Sequence, residues 1–197
     1  MSQEAAAPVS PIRAAINELE GDYQLLEPAG LDTAIIGLVA AFGDEYGVVG
    51  YDRDATIDLL VGDGMSRVEA EGFVANVLAT GDAEETPRFI TSAKALMAQH
   101  NAPSVRAAIN EVDGSFLLLE PASMDEAIAG LLATAGKAPV ICYDRDLVIE
   151  LLMKDGMDRD EAEEFFSFNI EGAYMGEATP VFLTAAKAVI DQADLAN

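Results

Sequence analysis

The sequence predicts an α+β protein made of two tandem copies of a module of roughly ninety residues, each βαβααβα-like, arranged as a pseudo-twofold pair. Three observations carry this. An ordered set of matches recurs along the chain at an offset of 93, slipping to 92 in the middle and returning to 93. Short apolar runs bounded by Pro, Gly or Asp alternate with segments of helical periodicity. Finally, 51% of the residues are hydrophobic although the formal charge is −24, so the chain has the apolar material for a core that an acidic disordered chain lacks.

The matches define the modules. Arg13-Ala14-Ala15-Ile16-Asn17-Glu18 recurs as Arg106-Ala107-Ala108-Ile109-Asn110-Glu111, and Leu25-Leu26-Glu27-Pro28-Ala29 as Leu118-Leu119-Glu120-Pro121-Ala122. Tyr51-Asp52-Arg53-Asp54 recurs as Tyr143-Asp144-Arg145-Asp146, Asp63-Gly64-Met65 as Asp155-Gly156-Met157, and Thr86-Pro87 as Thr179-Pro180. Module one is assigned to residues 8–99 and module two to 100–197, with the join at Gln99-His100-Asn101-Ala102-Pro103.

Module two shows the expected elements in order. Its opening, from Val105 to Val112, is Ala-rich and reads as a helix, with a hairpin turn at Asp113-Gly114 as the alternative. Leu117 to Pro121 reads as a strand. Ser123 and Glu126 have capping-box spacing, and Met124, Ile128, Leu131 and Ala135 continue at helical spacing. Pro139 to Tyr143 reads as a second strand, followed by a helix from about Arg145 that presents Val148, Leu151 and Leu152 on one face and stops at Gly156. Asp158 with Glu161 opens another helix, as Ser66 with Glu69 does in module one, and Ala162, Phe165, Phe166 and Asn169 lie along it. Thr179 to Leu183 is the third strand, and a helix from Ala185 to Ala193 closes the module. Three short strands alone would leave exposed edges, so two copies are expected to pair across a pseudo-twofold axis, as in an isologous dimer.

Composition excludes several functions. A surface with 35 acids against 11 bases repels nucleic-acid phosphates and anionic membranes. The longest charge-free apolar stretch, Thr33 to Gly43, is far shorter than the roughly 20 residues of a membrane span. Residues 1–5 show neither a basic nor an apolar leader region, so a cytoplasmic protein is expected, host cytoplasm if viral, with the virion as the alternative. Cys142 is the one cysteine and lies in an apolar strand, which reads as a buried inert thiol. His100, the one histidine, reads as a helix-end residue.

The Tyr-Asp-Arg-Asp element places paired acids after a strand and superficially resembles the haloacid dehalogenase superfamily phosphotransferase motif, which implies an aspartate nucleophile and Mg²⁺. The competing reading is that Asp52 or Asp54 caps the next helix. No Ser-His or Cys-His arrangement can be assembled, and neither catalytic residues, a metal site nor a cofactor is expected. The candidate binding residues are Tyr143, Asp144, Asn169, Tyr174 and Glu177. Asn169 falls on the aromatic face of its helix and requires partners there. Gly172 and Gly176 allow turns around Tyr174, which module one lacks, carrying Ala79 and Gly81 instead.

Tyr-Asp-Arg-Asp, Gly-Met-Asp-x-x-Glu-Ala and Phe-Asn-x-x-Gly-Ala-Tyr-x-Gly-Glu-x-Thr-Pro-Val-Phe together resemble a group of small uncharacterised proteins of tailed bacteriophages. The similarity covers roughly residues 115–183, and residues 23–90 more loosely. It implies a viral origin and supplies no catalytic residues. With 17 acids in residues 1–93 and 18 in 94–197, the acidity belongs to the module rather than to a tail. The expected function is therefore that of a non-enzymatic acidic phage accessory protein. It would act by protein–protein binding, including charge mimicry against a nucleic-acid-binding protein, as a monomer with an internal pseudo-dimer or as a homo-oligomer. The alternatives are a virion-associated structural protein and a carboxylate-Mg hydrolase.

Overall fold

The structure, a computed structural model, describes residues 9–44, 46–80, 86–112, 115–133 and 137–196. It mixes helix and strand, as an α+β protein should. Six strands, β1 (Ile35–Ala40), β2 (Val48–Asp52), β3 (Arg88–Ser92), β4 (Ile128–Ala133), β5 (Val140–Asp144) and β6 (Val181–Ala185), pair in sequence order, and β6 pairs back onto β1 to close a barrel. Closure removes the open edges that three strands alone would expose. The β2–β3 and β5–β6 pairs are parallel and the other four antiparallel. A parallel pair needs a crossover. Two helices supply it each time: α2 (Arg53–Gly62) with α3 (Arg67–Thr80), and α6 (Arg145–Lys154) with α7 (Arg159–Phe165).

The remaining helices sit at the starts and ends of the two halves: α1 (Pro11–Glu18), α4 (Ala93–Gln99), α5 (Val105–Asn110) and α8 (Ala186–Ala196). Caps define their boundaries. The Ser10 hydroxyl accepts Arg13 N–H ahead of Pro11 at the first helical position, and Ser104 does the same for Ala107 N–H. Asp158 and Glu161 form the expected reciprocal capping box, and Ser66 and Glu69 are bonded in the same way. Asp155 ends α6, with Gly156 following at φ 111°. The opening segment of each half is helical, while Asp113-Gly114 lies outside the described residues.

Two expected elements differ. Residues 117–121 join no strand, and the chain bends at Glu120 and Pro121. The helix expected from Ser123 is instead a 3₁₀ turn, Ala122–Ala127, leading into β4. Ser123 and Glu126 form no capping box, because the 3₁₀ turn opens at Pro121 with no side-chain cap. Ile128 and Leu131 are buried by the pairing of β4 between β3 and β5 and Met124 is buried within the 3₁₀ turn, while Ala135 lies outside the described residues. The signal for a strand was Gly130, with Gly37 at the matching position of β1. A Cβ at Gly130 would lie 2.1 Å from the Thr91 carbonyl oxygen, and one at Gly37 would lie 1.9 Å from that of Thr184. Both glycines adjoin a register shift that bends the strand. Each half therefore runs α, 3₁₀, β, β, α, α, β, α rather than βαβααβα.

Among the described residues, three apolar clusters form the core. Val39, Ile90, Leu132, Cys142, Val181 and Leu183 pack inside the barrel. The other two lie outside it, under the helices, and each recruits the closing helix of the opposite half. Val189 and Ala193 of α8 join Ile12, Ala15 and Ile16 of α1. Leu96 of α4 joins Ala108 and Ile109 of α5. The expected segments 8–99 and 100–197 thus share one barrel and exchange their last helices. No helix among the described residues is long and apolar enough to cross a membrane.

Candidate functional site

The five candidate binding residues fall in three places. Tyr143 and Asp144 belong to the framework. Tyr143 is fully buried, and its hydroxyl accepts the Leu119 N–H at 2.9 Å; Tyr51 is likewise buried and accepts the Leu26 N–H at 2.9 Å. Burial pushes both phenols up to about 12, so both stay neutral over the physiological range. Each ring ties a segment that forms no strand to the barrel wall, satisfying a backbone donor that would otherwise be orphaned. Asp144 caps α6 by accepting the Leu147 N–H at 3.0 Å, and Asp52 caps α2 by accepting the Ala55 N–H at 2.9 Å. Burial raises the Asp144 carboxyl against the opposing effect of that N–H.

The second acid of each pair turns to its neighbouring arginine: Asp54 to Arg53 at 3.1 Å and Asp146 to Arg145 at 3.5 Å. The donors that a Tyr-Asp-Arg-Asp metal site would need are thus engaged as caps and ion pairs. Among the described residues, no group of three or more His, Cys, Asp or Glu side chains is placed to hold a metal. Cys142 is buried inside the barrel, which pushes its thiol far up. His100 is the C-cap of α4.

Asn169 lies elsewhere and is exposed rather than buried. Beyond Phe165 the helix widens into a π turn, Phe166–Glu171. Matching residues are offset by 92 at Phe73 and Phe165 but by 93 at Thr86 and Thr179, so the second half carries one more residue between them. A π turn absorbs such an insertion and rotates the side chains that follow, a feature common at functional positions. Phe166 points inward, as the matching Val74 does in α3, and lies edge-on to Phe182 at 4.9 Å and 82°, with the Arg145 guanidinium 5.3 Å from its ring centroid. Phe165 and Phe168 point outward at 38% and 75% exposure and line a shallow groove with Met157, Glu161, Glu164 and Asn169.

Tyr174 and Glu177 lie at one mouth of the barrel. The segment that carries them is closed by Thr179, whose hydroxyl donates to the Gly176 carbonyl at 2.6 Å and accepts the Met175 N–H at 2.9 Å, with Gly176 at φ 90°. Tyr174 stacks at 5.2 Å on Phe42, which comes from the β1–β2 connection of the other half. The two rings wall a cavity of about 280 Å³. Val39, Leu132, Val140 and Val181 line it, together with Asp44, Arg88, Lys137 and Glu177. Asp44 is held by accepting the Ala41 N–H at 2.9 Å. Burial pulls the Arg88 guanidinium below its ordinary value, outweighing the attraction of Asp44.

Two features escaped the sequence reading. One is Arg88 at the barrel mouth. The other is a clamp in which Arg13 grips the buried Asp32 through two hydrogen bonds, Nε to Oδ2 at 2.7 Å and Nη2 to Oδ1 at 2.8 Å, and reaches the Leu26 carbonyl and Glu27 as well. Arg106 and Asp125 repeat it. The signal was present: an arginine and an aspartate 19 residues apart recur in both halves. No protein-family model matches the sequence, and no curated protein or solved structure matches the chain.

Proposed function

We propose that the chain is a duplicated module folded as one pseudo-symmetric barrel, and that it works by binding a protein partner through the α7 and π-turn surface of its second half. The observation that supports this best is the pair of outward phenylalanines, Phe165 and Phe168, set among Glu161 and Glu164 on the segment lengthened by one residue. Covering a phenylalanine is worth about 1.5–3 kcal/mol. Exposed aromatics in a groove with a charged border mark interaction sites. The acidic border selects a basic partner and steers its approach. Charge mimicry of a nucleic acid is the form of this reading that the net charge and the resemblance to phage proteins favour. The engagement of the paired acids as helix caps and arginine partners supports a binding role.

The test is affinity capture from host extract with the full chain and two variants. In one, Phe165 and Phe168 are both changed to Ala. In the other, Val68→Ala alters a residue 78% exposed on α3 of the first half. The expected result is a protein retained by the parent chain and by Val68→Ala, but released by the double variant and by about 0.5 M salt. Retention of the same proteins by all three chains, or binding indifferent to salt, refutes the proposal.

A further inference from the structure

The groove on α7 and the π turn carries an inference about the element that fills it, which rests on the protein-partner reading above. The helix runs unbroken from Arg159 through the π turn to Glu171. Ala162 and Phe166 face the core, while Glu161, Glu164, Phe165 and Phe168 stand outward at i, i+3, i+4 and i+7, a single stripe about 10 Å long. The first half has Gly72 and Asn76 where the second has Glu164 and Phe168, so the stripe belongs to one half alone. Residues 158–171 hold six acids and one base, against two acids and one base at 66–79. That base, Arg159, is taken by Glu163 at 2.8 Å. Glu161 accepts the Asp158 N–H, and among the described residues neither it nor Glu164 is paired with a base.

We propose that this groove takes a short amphipathic helix of the partner, its apolar stripe laid on Phe165 and Phe168 and its flanks carrying Lys or Arg. Two observations choose a helix over an extended segment. The barrel is closed, with β6 paired back onto β1, so the sheet offers no edge to which a strand could be added. The groove itself lies along a helix, whose backbone groups are bonded within it and leave no row of donors and acceptors for an extended peptide. A helix brings its own backbone bonds satisfied and needs only an apolar stripe to cover the two rings. The charge fixes its flanks. Lys and Arg stems pack along the ring edges while their heads reach Glu161 and Glu164, whereas an acidic flank would meet two uncompensated carboxylates. Met157, at the start of the groove, adds an adaptable apolar contact.

Three peptides of about 14 residues, each about 21 Å long as a helix, test this by titration into the ¹⁵N-labelled full chain, followed by amide chemical shifts. The first sets Leu at helical spacing with Lys elsewhere. The second has the same composition with Leu and Lys alternating, a strand pattern. The third is the first with Glu in place of Lys. The expected result is shifts centred on residues 161–169, with the first peptide roughly tenfold or more tighter than the second and no binding of the third. Changing Phe165 and Phe168 together to Ala should abolish the preference for helical spacing and leave only a weak attraction of charge, while Val68→Ala should keep it. Should circular dichroism show the double variant unfolded, Phe168→Asn, which installs the residue the first half carries at position 76, replaces it with the same expectation. Equal binding of the two Lys peptides at Phe165 and Phe168 overturns the helical occupant but leaves the partner surface standing. No shift on this face from either Lys peptide, or a preference that survives loss of the rings, overturns the surface as well.

Discussion

Replacing Asp32 by alanine removes one partner of a buried ion pair and leaves the other stranded. The Asp32 side chain is 1% exposed and that of Arg13 15%. The carboxylate receives two hydrogen bonds from Arg13 and a third, at 2.6 Å, from the Ser10 hydroxyl. Breaking such a pair from one side costs about 3–5 kcal/mol, because the remaining charge stays desolvated. For a domain of this length that lowers Tm by about 6–20 °C. The second half holds an internal control. Asp125 is 19% exposed and Arg106 29%, and Pro103 stands where the first half has Ser10. Asp125→Ala should therefore cost only about 1–2 kcal/mol. Urea unfolding of the two variants beside the parent chain measures both, with the slope checked for constancy. Equal losses would show that burial does not set the cost, and a loss below about 1 kcal/mol for Asp32→Ala would refute the account of the clamp.

The same pair fixes a pH dependence. Burial alone would raise the Asp32 carboxyl, but the hydrogen bonds from Arg13 and Ser10 outweigh it and hold the group below its usual value. A depressed folded-state pKa stabilises the protein fully above the unfolded value of about 3.9, and this stabilisation is lost as pH falls through the folded value. The stability difference between the parent chain and Asp32→Asn should thus be constant near neutrality and shrink in acid. A difference that grows as pH drops would show that the sign is wrong.

Two further perturbations test the frame. Tyr51→Phe and Tyr143→Phe each leave a backbone N–H without its phenol, at Leu26 and Leu119 respectively, and should each cost about 1–3 kcal/mol in chemical unfolding; a neutral result in both would show that water takes over the bond. Gly130→Ala drives a methyl group into the Thr91 carbonyl and Gly37→Ala into that of Thr184, so each should lower stability by about 3 kcal/mol or more, whereas Gly30→Ala, which meets nothing within 4 Å, should stay within about 0.5 kcal/mol.

What the sequence revealed depended on how local its cause was. The helix starts at Asp158 and Ser66 were legible because a cap acts within four residues. The helix at Ser123 was misread because Met124, Ile128 and Leu131 have a spacing that suits either a helix or a strand buried on both faces. The partners that decide the matter, β3 and β5, are distant in sequence or follow an unpredictable connection. Gly37 and Gly130 carried the missing information, since a glycine repeated inside an apolar run marks close backbone approach. Asn169 was placed on a buried face because an uninterrupted 3.6-residue repeat was assumed, and the π turn breaks that repeat after Phe165. The return of the offset from 92 to 93 was the only trace of it. Tyr174 and Glu177 were legible as a place where the two copies differ, but the cavity behind them requires the barrel to be closed.

The proposed duplication would account for the candidate sites lying off the framework. Residues kept in both halves, Arg13 and Arg106, Tyr51 and Tyr143, Asp52 and Asp144, Gly37 and Gly130, meet the same demand twice, because each half supplies half the barrel wall. A mouth lined by matching positions of both halves is different. Two identical chains would place the residue at position 88 on both sides of one small opening. Two valines would close it with apolar surface; two arginines would face each other across a partly desolvated gap, where like charges repel strongly. Once both copies lie in one chain, one side can take Arg88 while the other keeps Val181, and Asp44 and Lys137 can diverge in sign across the same opening. On the proposed duplication, the matching residues of the barrel wall and the differing residues of its mouth would have one origin.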